Sequence, residues 1–89
     1  MAHSIDSVEK IAVTTTAKDI AVNGRKFMIQ NLASDQTVYF KEKKGTAATA
    51  ANGFCVPAST TLDQVLRAET LSIVGSGSAD VRIMYFNEV

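Results

Sequence analysis

Thr70-Leu71-Ser72-Ile73-Val74-Gly75-Ser76-Gly77-Ser78-Ala79-Asp80-Val81-Arg82-Ile83-Met84-Tyr85-Phe86 is the stretch whose reading decides the fold. Apolar and polar residues alternate on both sides of a Gly-Ser turn. Period two means that successive side chains face opposite ways, as they do in a β-strand. Val81, Ile83 and Tyr85 share one face, and Arg82, Met84 and Phe86 share the other. Gly75-Ser76-Gly77-Ser78 is the clearest turn signal in the chain. The segment predicts two strands joined as a terminal hairpin.

The same grammar runs backwards from there. Ile11-Ala12-Val13-Thr14-Thr15-Thr16 is rich in β-branched residues. Ile20 and Val22 continue a looser alternation up to Asn23-Gly24, a tight-turn pair. Phe27, Ile29 and Asn31 fall on one face of the next strand, with Met28, Gln30 and Leu32 on the other. Ala33-Ser34-Asp35-Gln36 turns the chain into Thr37-Val38-Tyr39-Phe40-Lys41, which predicts a second antiparallel hairpin. Phe54-Cys55-Val56 is a short strand stopped by Pro57. Thr60–Leu66 reads either as a strand or as a helical turn, because Leu62, Val65 and Leu66 sit at helical spacing.

Two segments break the pattern. Residues 1–10 are polar except for Ile5 and Val8, and they predict an N-terminal arm. Residues 41–53 hold the charged run Lys41-Glu42-Lys43-Lys44 and then a Thr-Ala-rich tract with no large side chain. They predict an exposed loop. About seven short strands at roughly ten-residue spacing give an all-β fold, a small antiparallel β-sandwich or jelly-roll-like barrel. Residues 11–89 form its single domain behind the arm.

An 89-residue chain has a thin core. At this size only about 60–65% of the unfolded surface is buried on folding. Nine basic and nine acidic residues cancel. This balance argues against nucleic acid as a main partner, and against a membrane surface recognised by charge. Cys55 is the single cysteine, so no intrachain disulfide can form. The start lacks the basic-then-apolar layout of a signal peptide.

The chain offers little for catalysis. His3 is the only histidine and lies in the polar arm. Cys55, between Phe54 and Val56, reads as a small apolar core residue. The carboxylates are scattered singly, without metal-ligand or calcium-loop spacing, and no phosphate-binding glycine loop is present. The expectation is a non-enzymatic protein with no cofactor. Tyr39, Tyr85, Met28, Met84 and Phe86 either belong to the core or lie on outer faces, where they would mark an interface.

Five pieces occur in a telling order: Ile29-Gln30-Asn31-Leu32-Ala33-Ser34, Val38-Tyr39-Phe40, Asn52-Gly53-Phe54-Cys55-Val56-Pro57-Ala58, Glu69-Thr70-Leu71-Ser72-Ile73-Val74 and Ala79-Asp80-Val81-Arg82-Ile83. Over residues 25–86 the chain resembles small virion proteins of tailed bacteriophages. The resemblance implies a structural virion component, foremost a capsid decoration or cement protein that binds the assembled head and stabilises it. Its partners would be the major capsid protein or other virion subunits, and further copies of itself, with a trimer one arrangement. It would be made in the host cytoplasm and reside on the head surface. Decoration proteins usually grip the shell with arms and loops. That points to Ile5 and Val8 in the arm and to Lys43, Lys44, Thr46 and Thr49 in the loop, beside Tyr39 and Tyr85. Other virion positions (tail, head-to-tail connector, fibre) and a small carbohydrate-binding sandwich are the alternatives.

Overall fold

Inward-facing Val, Ile and Phe on alternate positions of every long strand need a second apolar layer, and the chain supplies one. In a computed structural model, which describes the backbone of residues 3–88 and the side chains of residues 7–86, the described residues form nine strands and no helix. These are β1 (His3–Val13), β2 (Lys18–Ala21), β3 (Lys26–Asn31), β4 (Val38–Glu42), β5 (Phe54–Val56), β6 (Thr60–Thr61), β7 (Leu66–Arg67), β8 (Thr70–Gly75) and β9 (Ala79–Glu88).

One sheet has the order β1-β9-β3-β6, with β7 also on β3; the other has the order β2-β8-β4-β5. All pairings are antiparallel. The sheets face each other across Val13, Phe27, Ile29, Val81 and Ile83 from the first and Val38, Leu71 and Ile73 from the second, none more than 1% exposed. The expected all-β sandwich is the fold. Burying such side chains contributes about 1.5–3 kcal/mol each, and this layer is the main source of stability.

The pairing of neighbours differs from the expectation. The strands around residues 32–37 are not a hairpin, because β3 belongs to the first sheet and β4 to the second. The terminal pair is not a hairpin either: β8 pairs with β2 and β4, and β9 pairs with β1 and β3. Asn23-Gly24 does form a tight turn, with both residues at positive φ (58° and 75°), but it too carries the chain from one sheet to the other. The cause is burial. Each of these strands has one largely apolar face, and crossing between layers buries it against the opposite sheet rather than beside its sequence neighbour.

The arm is also corrected. Residues 3–10 are the first eight of the eleven residues of β1 and pair with β9, from His3 opposite Glu88 to Lys10 opposite Arg82, with a bulge between Ile5 and Ser7. Residues 7–10 are all exposed, so there the edge strand has both faces in water. Residues 60–66 become two short strands, β6 and β7, on the rim of the first sheet.

Candidate interaction surfaces

The most exposed large apolar side chain among the described residues belongs to the shortest strand of the second sheet. Pro57 stops β5 after three residues, and only β4 pairs with it. Phe54 stands opposite Phe40, their ring centroids 5.7 Å apart. Phe40 is buried at 3% exposure whereas Phe54 is 70% exposed. The irregular stretch between β6 and β7 faces this edge. Together Phe40, Phe54, Cys55, Leu62, Gln64 and Leu66 line a cavity of about 130 Å³. Drug-sized ligands need about 300–1,000 Å³, so this cleft matches a partner's side chain instead. Val65, 41% exposed, lies in the same stretch. Cys55 is an exposed thiol, which corrects the expectation of a buried one. It occupies the alternate, outward position of an edge strand between Phe54 and Val56.

A second concavity of about 340 Å³ lies on the outer face of the same sheet, lined by Thr15, Ala17, Tyr39, Ala48, Thr49, Ala50, Val74, Gly75 and Ser76. The Thr-Ala loop forms one wall, and it is held down rather than loose. Ala48 is 3% exposed, and its amide donates to Ser72 Oγ at 2.9 Å. Further hydrogen bonds close the loop on itself. The Thr49 amide donates to Asn52 Oδ1 (2.7 Å), and the Gly53 amide donates to the Thr49 carbonyl (3.0 Å). Gly53 sits in a close approach: a Cβ would lie 3.0 Å from Tyr39 Cβ and 3.1 Å from the Phe40 nitrogen, so a larger residue would push its neighbours.

The sequence-predicted contact residues do not converge on one site. Tyr39 and Thr49 share the 340 Å³ groove. Lys43 Nζ donates to Asp19 Oδ2 at 2.7 Å, a surface pair. Lys44 lies 3.6 Å from Glu42. The Glu69 amide (3.0 Å), and after it Lys44, hold the Glu42 carboxyl below the usual range. Thr46 Oγ1 accepts from Lys41 Nζ at 2.8 Å. Ile5 falls outside the residues whose side chains are described.

Tyr85 is a clear correction. It is only 4% exposed, and its hydroxyl donates to Glu9 Oε1 at 2.8 Å. The Arg25 guanidinium sits 4.1 Å above the ring and also donates to Ser7 Oγ at 3.3 Å. These four residues close one end of the sandwich. Alternation had already grouped Tyr85 with Val81 and Ile83, the core face.

Val8, expected in a polar arm, lies in β1. It is 53% exposed and stands opposite Met84, which stands opposite Met28. Both methionines are half-buried, so an apolar row crosses three strands on the outer face of the first sheet. Phe54 was missed because a three-residue strand gives too little alternation to tell inside from outside. The stop of its short strand at Pro57 was the available signal for an edge.

Among the described residues no cluster of three or more His, Cys, Asp or Glu could hold a metal ion. Comparisons with protein-family models, with curated proteins and with solved structures return no match.

Proposed function

We propose that this chain is a structural virion protein, a decoration protein that binds the assembled head of a tailed bacteriophage and stabilises it. The observation that carries the reading is Phe54, 70% exposed beside the apolar cleft at the β5 edge. An aromatic ring left in water on a small sandwich is a contact awaiting a partner. The order of motifs over residues 25–86 supplies the kind of partner, a capsid subunit. Binding the assembled shell in preference to free subunits stabilises the shell by mass action. No group with reaction chemistry is needed for that.

The test is to mix the purified protein with expanded heads that lack it and to image the particles. Regular density over the head lattice is the expected result. Density confined to a vertex, the connector or the tail moves the assignment to another virion position. Absence of binding to any particle overturns the reading.

One observation favours a second reading. The 340 Å³ groove sets Tyr39 beside Thr15, Thr49 and Ser76, an aromatic ring next to hydroxyl-bearing residues as in a sugar site. Tyrosine fluorescence that shifts with glycan, and no particle association, would select it.

A further inference from the structure

The chain holds two Asn-Gly pairs, Asn23-Gly24 and Asn52-Gly53. Such a pair can react with itself. The glycine backbone nitrogen, once it loses its proton to hydroxide, attacks the asparagine Cγ. An N–Cγ bond forms and the Cγ–Nδ2 bond breaks. Nδ2 takes a proton from water and leaves as ammonia. Water then opens the five-membered succinimide ring and leaves aspartate or isoaspartate. Glycine favours the attack because no side chain shields its nitrogen. In both pairs the fold withholds what the reaction needs. The Gly24 amide donates to the Ala68 carbonyl at 2.8 Å, and the Gly53 amide donates to the Thr49 carbonyl at 3.0 Å. Asn52 is held a second way. Its Oδ1 accepts from the Thr49 amide at 2.7 Å, and its Nδ2 donates to the Ala47 carbonyl at 3.3 Å. Each pair must therefore open before it reacts, and its rate follows the cost of opening.

We propose that Asn52 is the deamidation site of the folded protein, and that opening of the Thr-Ala loop gates the reaction. The two pairs differ in what opening exposes. Asn23-Gly24 carries the chain between the sheets. The Val22 and Asn23 amides both donate to the Glu69 carbonyl at 2.9 Å, and the flanking Val22 and Phe27 are 0% and 1% exposed. Freeing the Gly24 nitrogen therefore pulls on the core. Asn52-Gly53 ends the loop, where Ala48 is the only buried residue between positions 43 and 55. The bonds that hold Asn52 and the Gly53 amide go to residues 47 and 49 of the same loop. Breaking them exposes almost no apolar surface. The product then loosens the loop that formed it. A carboxylate at position 52 has no proton for the Ala47 carbonyl and repels it. Isoaspartate adds a backbone carbon just before Gly53, where even a Cβ would lie 3.0 Å from Tyr39 Cβ. The next residue, Phe54, begins β5, so the change falls on the exposed aromatic edge. The inference does not rest on the virion reading.

The test needs no particle and no variant, because Asn23-Gly24 is an internal control with the same chemistry. The full chain is held in mildly alkaline buffer, folded and in parallel unfolded in urea. Peptide mass mapping over time reads the deamidated fraction at each pair. In the folded protein Asn52 should react at least about tenfold faster than Asn23, since opening costs run from near zero in loops up to the full stability in cores. In urea both should react faster, and the gap between them should collapse. Asn23 reacting as fast as Asn52 in the folded protein overturns the proposal. So does an Asn52 rate that is the same folded and unfolded, or a gap that persists in urea, which would place its cause in the flanking residues. An intact Asn52 in folded protein after the urea sample has fully converted overturns it as well.

Discussion

The Asn31 side-chain nitrogen donates to the Val56 carbonyl at 3.1 Å, and this bond ties the first sheet to the second. Both residues are fully buried. The same nitrogen donates to the carbonyls of Gln36 (2.8 Å) and Pro57 (3.2 Å), and Asn31 Oδ1 accepts from the Ala33 amide at 3.0 Å. One amide thus organises the crossing from β3 to β4 and the stop of β5. Asn31→Leu keeps the volume and strands these carbonyls. The expected loss is about 2–4 kcal/mol, since each unsatisfied buried group costs about 1–3 kcal/mol. A urea denaturation series against wild type checks it. An unchanged midpoint would show that water replaces the amide.

Alkaline stability should depend on Tyr85. Burial first, and then the Glu9 carboxylate that its hydroxyl meets, push its pKa from 10.0 up to about 12. The folded chain therefore holds this proton more tightly than the unfolded one. Its contribution is fully present below pH 10 and is lost as pH rises through about 12. Tyr85→Phe should flatten that decline. Tyrosinate absorbance in a Tyr39→Phe background should report one late-titrating hydroxyl in the folded state, and titration at the ordinary value would contradict the Glu9 contact.

Ser72 should control the Thr-Ala loop. Its hydroxyl is the acceptor for the Ala48 amide, and both residues are buried. Ser72→Ala leaves that amide without its partner at a cost of about 1–3 kcal/mol. Limited proteolysis should then cut between residues 46 and 52 faster than in wild type. Equal cutting rates would mean that the Thr49–Asn52–Gly53 bonds hold the loop without Ser72.

Phe54→Asp should separate folding from binding. A 70% exposed ring contributes little to the fold, so the stability change should stay within about 0.5 kcal/mol. Association with phage heads, on the function proposed above, should be lost. A variant that unfolds instead would show that stacking on Phe40 matters more than exposure suggests.

Period-two alternation made the all-β class legible, along with the inward faces of β3, β8 and β9 and the break at Pro57. It could not give strand partners. Gly75-Ser76-Gly77-Ser78 marks a turn equally well whether the next strand lies beside the last or across from it. Alternation also grouped Tyr85 with the core, but not its neighbours Glu9 and Arg25, which lie far away in sequence. Of the expected contact residues, Val8 and Tyr39 lie on outer faces, whereas Lys43, Thr46 and Thr49 hold groups of their own chain.

The amino-acid sequence by itself determined that this chain is all-β, a small sandwich or barrel, because side-chain direction in a strand follows from local geometry alone. Only the tertiary structure decided that the polar start is an edge strand, that the expected hairpins cross between sheets, and that Phe54 and Val8 are left in water. Those outcomes depend on which faces bury each other, and contacts between residues distant along the chain leave no periodicity to read.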